Sequence, residues 1–314
     1  MEKLQLNRRS FIKTAASLGA YGTIALSPLR SLARTEAVKL TILHTNDWHS
    51  RIEPFPMDGG GNQGLGGAAA RVALIDKIRK QEQNVLLLDA GDIFQGTPYF
   101  NAFGGELEYK LMSRMGYDLA TLGNHDFDNG IEGIIRQLPH ATFEFVNCNY
   151  DFGTTALAPY IKPYKIFTKS GIRIGVFGVG VELKGLVPDV LYEGIVYNDP
   201  VAPSNSIAAY LKEKEKCDLV ICLSHLGYKY GGNKISDIRL AEQSEHIDLI
   251  IGGHTHTFLS KPDLIMNKKG KVVMVNQVGW AGINLGRIDY TFEPLKNKVM
   301  TTTSSTMNID GNKC

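Results

Sequence analysis

Leu40-Thr-Ile-Leu-His-Thr-Asn-Asp-Trp-His49 starts as a short apolar run and ends on two side chains of metal-ligand type, Asp47 and His49, one residue apart. A run of this kind reads as a buried strand. Residues directly after it sit at the strand's carboxyl end, where an open parallel α/β sheet forms its binding crevice. The arrangement recurs along the chain. Asp92 follows Val85–Leu88 in L-L-L-D-A-G-D, and Asn124 and His125 follow Leu119–Leu122 through Gly123. His225 comes just after Leu219–Leu223, and His254 and His256 follow Leu249–Ile251 through two glycines. Seven ligand-type residues in five segments thus read as one two-metal hydrolytic site.

Further apolar runs at Phe143–Val146, Ile172–Val179, Val272–Val275 and Ile283–Tyr290 add strands. Between the runs lie helical spacings: Ala70, Leu74 and Ile78; Leu107, Leu111 and Met115; Ile207, Ala208 and Leu211 within Asn205–Lys216; and a short candidate at Ser236–Glu245. Strands alternating with helices predict α/β layers with covered sheet faces. No internal repeat or inter-domain linker interrupts them. Residues 38–294 are expected to form a single folded domain. The Thr-, Ser- and Asn-rich segment 295–314 lacks a core-forming pattern and is expected to be a fraying tail.

Residues 1–37 read as an address. N-R-R-S-F-I-K at Asn7–Lys13 precedes a mildly apolar, small-residue stretch, Thr14–Leu29, and small residues recur at Ser31–Ala37. This resembles a twin-arginine export signal and predicts a periplasmic or exported protein, with cleavage after Ala33 or Ala37. The stretch is too short and polar for a stable membrane span.

Overall composition, 43% hydrophobic and 21% charged over 314 residues, is that of a globular chain. The first 33 residues hold five Lys/Arg and one acid; subtracting them leaves 34 − 5 = 29 basic against 32 − 1 = 31 acidic residues. A near-neutral remainder gives no support for binding a nucleic-acid polymer through a broad basic face. The four cysteines show neither C-x-x-C spacing nor framework density, and no disulfide is read from them.

Each segment also has a plainer reading. D-x-H alone is common in loops, and His225 could be a packed core histidine. As a set, their donors suit a borderline divalent cation such as zinc or manganese. Asp92 is the candidate bridge, because each carboxylate oxygen can serve one ion, whereas Asp89 reads as structural. His44 reads as a packed histidine, and His140 and His246 as solvent-facing. Trp48 and Phe94 are expected to pack against the site. Gly175, Gly178 and Gly180 imitate a dinucleotide fingerprint, but no helix start follows them.

The order D-x-H, G-D, G-N-H-D, strand-end H and G-H-x-H resembles the calcineurin-like metallophosphoesterases. L-H-T-N-D-W-H, D-A-G-D-I-F-Q-G-T-P, G-N-H-D-F-D and I-G-G-H-T-H are similar, more narrowly, to the 5′-nucleotidase family, over about Leu40–Tyr290. The resemblance implies a four-layer αββα sandwich holding two divalent metal ions. Asp47, His49, Asp92 and His256 would surround one ion, and Asp92, Asn124, His225 and His254 the other. It makes His125 and Asp128 a catalytic pair. Asp126 stands where Glu is common and is not expected to be a ligand, and His256 replaces a residue that is Gln in some relatives.

The implied activity is metal-dependent hydrolysis of nucleotide phosphate esters by activated water. The alternatives are hydrolysis of other phosphate or sulfur esters, or a non-catalytic metal-binding subunit. Two-domain members carry a second domain that binds the nucleobase. Only 24 residues follow Tyr290 here, so the resemblance leaves either an open site or a separate substrate-binding chain docking in trans.

Overall fold

The computed structural model describes residues 36–294 and 296–311, so the Asn7–Lys13 motif lies outside the described residues. Strand β1 (Val38–Thr45) leads to α1 (Ala68–Gln81), β2 (Val85–Asp89), α2 (Pro98–Phe103), α3 (Glu106–Met115), β3 (Leu119–Ala120) and α4 (Gly130–Gln137). Then come β4 (Glu144–Val146), β5 (Tyr150–Asp151), β6 (Ile161–Lys162), β7 (Tyr164–Lys169), β8 (Ile172–Gly180), β9 (Val196–Tyr197) and α5 (Val201–Glu213). The described chain continues through β10 (Leu219–His225), α6 (Asp237–Gln243), β11 (Leu249–Gly252), β12 (Asp263–Met266), β13 (Val272–Asn276), β14 (Asn284–Phe292) and β15 (Val299–Asn308).

Two large sheets result, ordered β15-β14-β1-β2-β3-β4-β6 and β12-β13-β11-β10-β8-β7. Each has a parallel centre and antiparallel strands at an edge. Side-chain alternation turns these sheets into four layers. In β2, Leu86 and Leu88 face an apolar cluster that also receives Ile174, Val176, Ile221 and Ile251 from the second sheet. Val85 and Leu87 point the other way, into a cluster with Ile75 and Met112 of the helices. In β10, Val220 and Cys222 likewise join Ala208, Leu211 and Leu240 on the outer face of the second sheet. Three cores between four layers make the αββα sandwich.

The segment expected to fray is instead strand β15, paired with β14 from Asn284↔Asn308 to Phe292↔Val299 with a bulge at Thr291/Phe292. Its threonines suit an extended backbone, and nearly every side chain is exposed, which is why no apolar pattern announces it. Ile309, just beyond, is buried. Helix α5 begins at Val201, not Asn205, because Pro203 falls in its first turn, where a missing N–H costs nothing. Helix α4 escaped the pattern because Gly130 and Gly133 lower its intrinsic propensity. Among the described residues no helix is long and apolar enough to cross a membrane.

Candidate metal centre

Strands β1, β2 and β3 lie side by side in one sheet, and β10 and β11 in the other. Their carboxyl-end loops carry all seven candidate ligands to one edge of the sandwich. The first two loops are laced together: the N–H groups of Asp47, His49 and Ser50 donate to the carbonyls of Gly91, Asp92 and Ile93 at 2.9, 3.0 and 3.0 Å. Contact across the two sheets requires glycine. A Cβ on Gly123 would lie 2.2 Å from Asp92 Oδ1 and 2.7 Å from His225 Cε1, and one on Gly253 would lie 2.9 Å from His225 Nδ1.

Asp47, His49, Asp92, His254 and His256 all adopt left-handed backbone, with φ of 51°, 51°, 55°, 71° and 52°. Such a conformation costs a non-glycine residue roughly 1–3 kcal/mol and persists only where its surroundings over-determine it. Here the cross-loop hydrogen bonds do so.

The donors gather in two groups. Asp47, His49 and His256 each offer an atom within 4.8 Å of the others, and so do Asp92, His225 and His254. Asp92 Oδ2 stands between them, 3.8 Å from His49 Nε2 and 3.0 Å from His225 Nε2. His49 Nε2 and His256 Nε2 approach to 2.9 Å. Backbone carbonyls fix two tautomers, since His225 Nδ1 donates to Ala90 O at 2.7 Å and His49 Nδ1 to Gln95 O at 3.1 Å. That leaves both Nε2 lone pairs facing inward. Asp47 is held by the His254 N–H at 2.9 Å and by the side chain of Asn46 at 2.6 Å.

Electrostatics and orphaned atoms fit a cation. Burial disfavours the imidazolium of His225, yet the Asp92 carboxylate beside it raises its pKa to about 10. Asp92 is subject to the converse: burial pushes its carboxyl up, but His225 and His49 hold it well below the usual range. His254 is lowered to about 4 by burial and by His225. Asn124 Oδ1 and His225 Nε2 are buried without a hydrogen-bond partner. A bare amide oxygen at Asn124, and a His225 proton that a cation would displace, set among carboxylates and imidazoles, make a donor set for divalent cations.

His125 opens a 3-10 turn, His125–Phe127, and Asp128 caps it. Its Nδ1 donates to Asp128 Oδ2 at 2.9 Å, and its ring stands 5.2 Å from that of His49. The Asp128 hydrogen bond raises the pKa of His125 against the effect of partial burial. Asp126 belongs to neither group and accepts from the N–H groups of Asp92, Ile93, Phe94 and Gly123 at 3.1, 3.0, 3.2 and 2.7 Å. It clamps the two ligand loops together.

Other singled-out residues fall into place. Asp89 is buried, accepting from Thr45 Oγ1 at 2.6 Å and from the Gly91 N–H at 2.9 Å. His44 is buried and receives the Asn276 amide at 3.0 Å. His140 and His246 are partly buried rather than solvent-facing, because each lies beside a carboxylate, Glu106 and Glu213 respectively. Gly175, Gly178 and Gly180 lie inside β8, where a Cβ on Gly178 would strike Val146 O at 2.1 Å. Trp48 packs beneath Arg71, whose guanidinium carbon is 4.4 Å from its ring centroid, and Phe94 stacks on Tyr109.

Sequence reading missed Trp280. Its ring lies 5.4 Å from that of His256 at 3°, with Phe55 edge-on behind it and Arg51 above Phe55. The signal was its place just past β13, the last of four parallel strands of the second sheet.

Residues 40–258 match the family described as calcineurin-like phosphoesterase. A 5′-nucleotidase of Vibrio cholerae serotype O1 is 34% identical over 306 residues, covering 90% of this chain and 54% of that protein. The crystal structure of a 5′-nucleotidase precursor from Thermus thermophilus superposes with a TM-score of 0.77 at 30% identity, over 87% of this chain and 55% of that one. The calcineurin-like phosphoesterase YfkN from Bacillus subtilis gives a TM-score of 0.68 at 26% identity, over 88% of this chain and 92% of that one. The chain spans about half the length of the 5′-nucleotidases it matches.

Proposed function

Because the chain belongs to the calcineurin-like phosphoesterase family and is a metal-dependent phosphoester hydrolase, we propose that it acts on nucleotides, releasing phosphate through a dinuclear centre. The observation that carries this reading is the gathering of six Asp and His donors in two groups, with Asn124 Oδ1 buried and bare, in a chain that also holds the His125–Asp128 pair.

In this assignment Asp47, His49, Asp92 and His256 hold one ion, and Asp92, Asn124, His225 and His254 hold the other. Two divalent cations supply Lewis-acid charge to the phosphoryl oxygens and acidify the attacking water. The chain's own groups do the rest. Ala90 O and Gln95 O keep His225 and His49 in the ligating tautomer, and Asp126 holds the loops of Asp92 and Asn124 in register. His125, kept protonated by Asp128, presents Nε2–H to the phosphate and donates a proton to the departing alkoxide. A positioned acid of that kind contributes ~10²–10⁴-fold.

The test is hydrolysis by the metal-reconstituted chain of 5′-nucleotides, 2′,3′-cyclic nucleotides and an aryl phosphate, with metal content measured in parallel. Turnover of 5′-nucleotides with two ions per chain is expected, and His125→Ala should lower it ~10²-fold or more without metal loss. Full activity in that variant sinks the catalytic assignment. Turnover confined to the aryl phosphate sinks the nucleotide one.

The Asn7–Lys13 motif supports export through the twin-arginine route, which replacing Arg8 and Arg9 by Lys should block in a fractionation assay. The half-length match to the 5′-nucleotidases supports completion of the site by a separate substrate-binding chain. Activity left unchanged by any co-expressed partner would argue against it.

A further inference from the structure

Beside the His49 half of the centre lies a cavity of about 450 Å³ that the assignment above leaves unused. Its rim is the ligand loop itself. Arg51 lines it two residues after His49, and so does Gly96, where a Cβ would lie 2.9 Å from His49 Cβ. Thr97, also in the lining, ties this rim down through Oγ1 to Ser50 O at 2.6 Å.

Three features of the wall describe an occupant. Tyr99 and Phe103, on successive turns of α2, present rings within 17° of parallel with centroids 6.5 Å apart. Phe103 is 52% exposed, an apolar surface that a flat ligand ring would take from water. Tyr99 is held in place by its hydroxyl, which donates to Glu53 Oε1 at 2.8 Å. Glu53, on the rim, has a second carboxylate oxygen to accept from vicinal hydroxyls. Arg51 is the one cation in the lining. Among the described residues it forms no ion pair, its guanidinium carbon lies 4.3 Å from the Phe55 ring centroid, and its Nε is buried without a partner.

We propose that this cavity is the leaving-group subsite, taking the nucleoside half of the substrate with its base against Tyr99 and Phe103 and its sugar hydroxyls on Glu53. Arg51 donates to acceptor atoms between the sugar and the centre. The volume lies within the range of ligand pockets, and stacking tolerates any base because every base has a π-face. The inference deepens the nucleotide reading and rests on it.

Two measurements on the metal-loaded chain separate this proposal from the reading beneath it. The first is calorimetric binding of a purine nucleoside, which carries no phosphate to hydrolyse. The second is the ratio of kcat/KM for the nucleoside 5′-monophosphate to that for ribose 5-phosphate. The double change Tyr99→Ala/Phe103→Ala should weaken nucleoside binding and lower the ratio, each at least tenfold. Both side chains are at the surface, so the fold should survive, which a thermal melt checks. Ala102→Trp, which fills the cavity without removing a ring, should do the same.

A ratio within twofold of the parent in both variants, or a parent chain with no nucleoside binding, overturns the subsite while leaving hydrolysis intact. Nucleoside binding that depends on Tyr99 and Phe103 in a chain that hydrolyses no phosphate ester keeps the subsite and removes the nucleotidase reading.

Discussion

The two halves of the centre offer similar donors, two buried and one partly buried in each, and differ in what surrounds them. Asp92 and His225 in one half and Asp47 and His49 in the other are all buried, and the first half adds the buried Asn124. The partly buried histidine is His254 in that half and His256 in the other, where 38% of the side chain is exposed and the ring stacks on Trp280. Burial strengthens each interaction with a bound cation and slows its exchange with water. A donor at the rim gives up that grip and gains access to substrate. The half that adds the buried Asn124 therefore reads as the inner, retaining site, and the half that ends in the open His256 edge as the outer, working face.

That contrast can be broken outright at the residue both halves share. Asp92→Ala removes the atom between the groups and leaves His225 facing an empty carboxylate position. Activity is expected to fall by more than the ~10³-fold that losing one transition-state donor costs, with both ions lost from the metal content. Retention of one tightly bound ion in this variant would show that the halves are independent.

A graded test uses a chelator. Removal should occur in two steps, the Asp47–His49–His256 ion leaving first, with affinities at least tenfold apart, or about 1.4 kcal/mol. Metal analysis against chelator concentration reads this directly, and a single step would erase the distinction. Trp280→Ala should sharpen it further. The outer ion should weaken roughly tenfold, the low end for groups that orient a ligand, while the inner one stays put.

The smallest expected effect lies outside both halves, at His44. Burial lowers its pKa to about 3 from 6.5. The unfolded chain therefore takes up this proton first as pH falls, and the stability present above pH 6.5 is lost progressively toward pH 3. His44→Gln should flatten that slope in acid-denaturation curves while leaving metal affinity unchanged.

Much of this was legible in the sequence for a physical reason. A buried parallel strand needs an unbroken apolar run, and its carboxyl end is marked where that run stops. Asp47, Asp92, Asn124, His225 and His254 sit at those stops, so the site could be read without the fold. Trp280 could not, because an aromatic residue after a strand is far more often core. Arg51, Tyr99 and Phe103 were invisible for another reason: α2 is six residues long, too short to establish a helical period. Strand β15 was missed because hydrogen bonds hold it, and backbone pairing leaves no mark on side-chain pattern.

That last strand bears on how the chain stays in solution. Strand β14 alternates buried residues such as Leu285 and Ile288 with more open ones. Left as the outermost strand, it would offer a stranger's backbone a long ready-made ladder. By covering it with six consecutive hydroxyl residues, Thr301–Thr306, one of them bonded to Leu259 O at 2.9 Å, the fold ends its larger sheet in a hydrated border. Losing the segment would bare the β14 ladder and is expected to show first as aggregates and only later as lost activity.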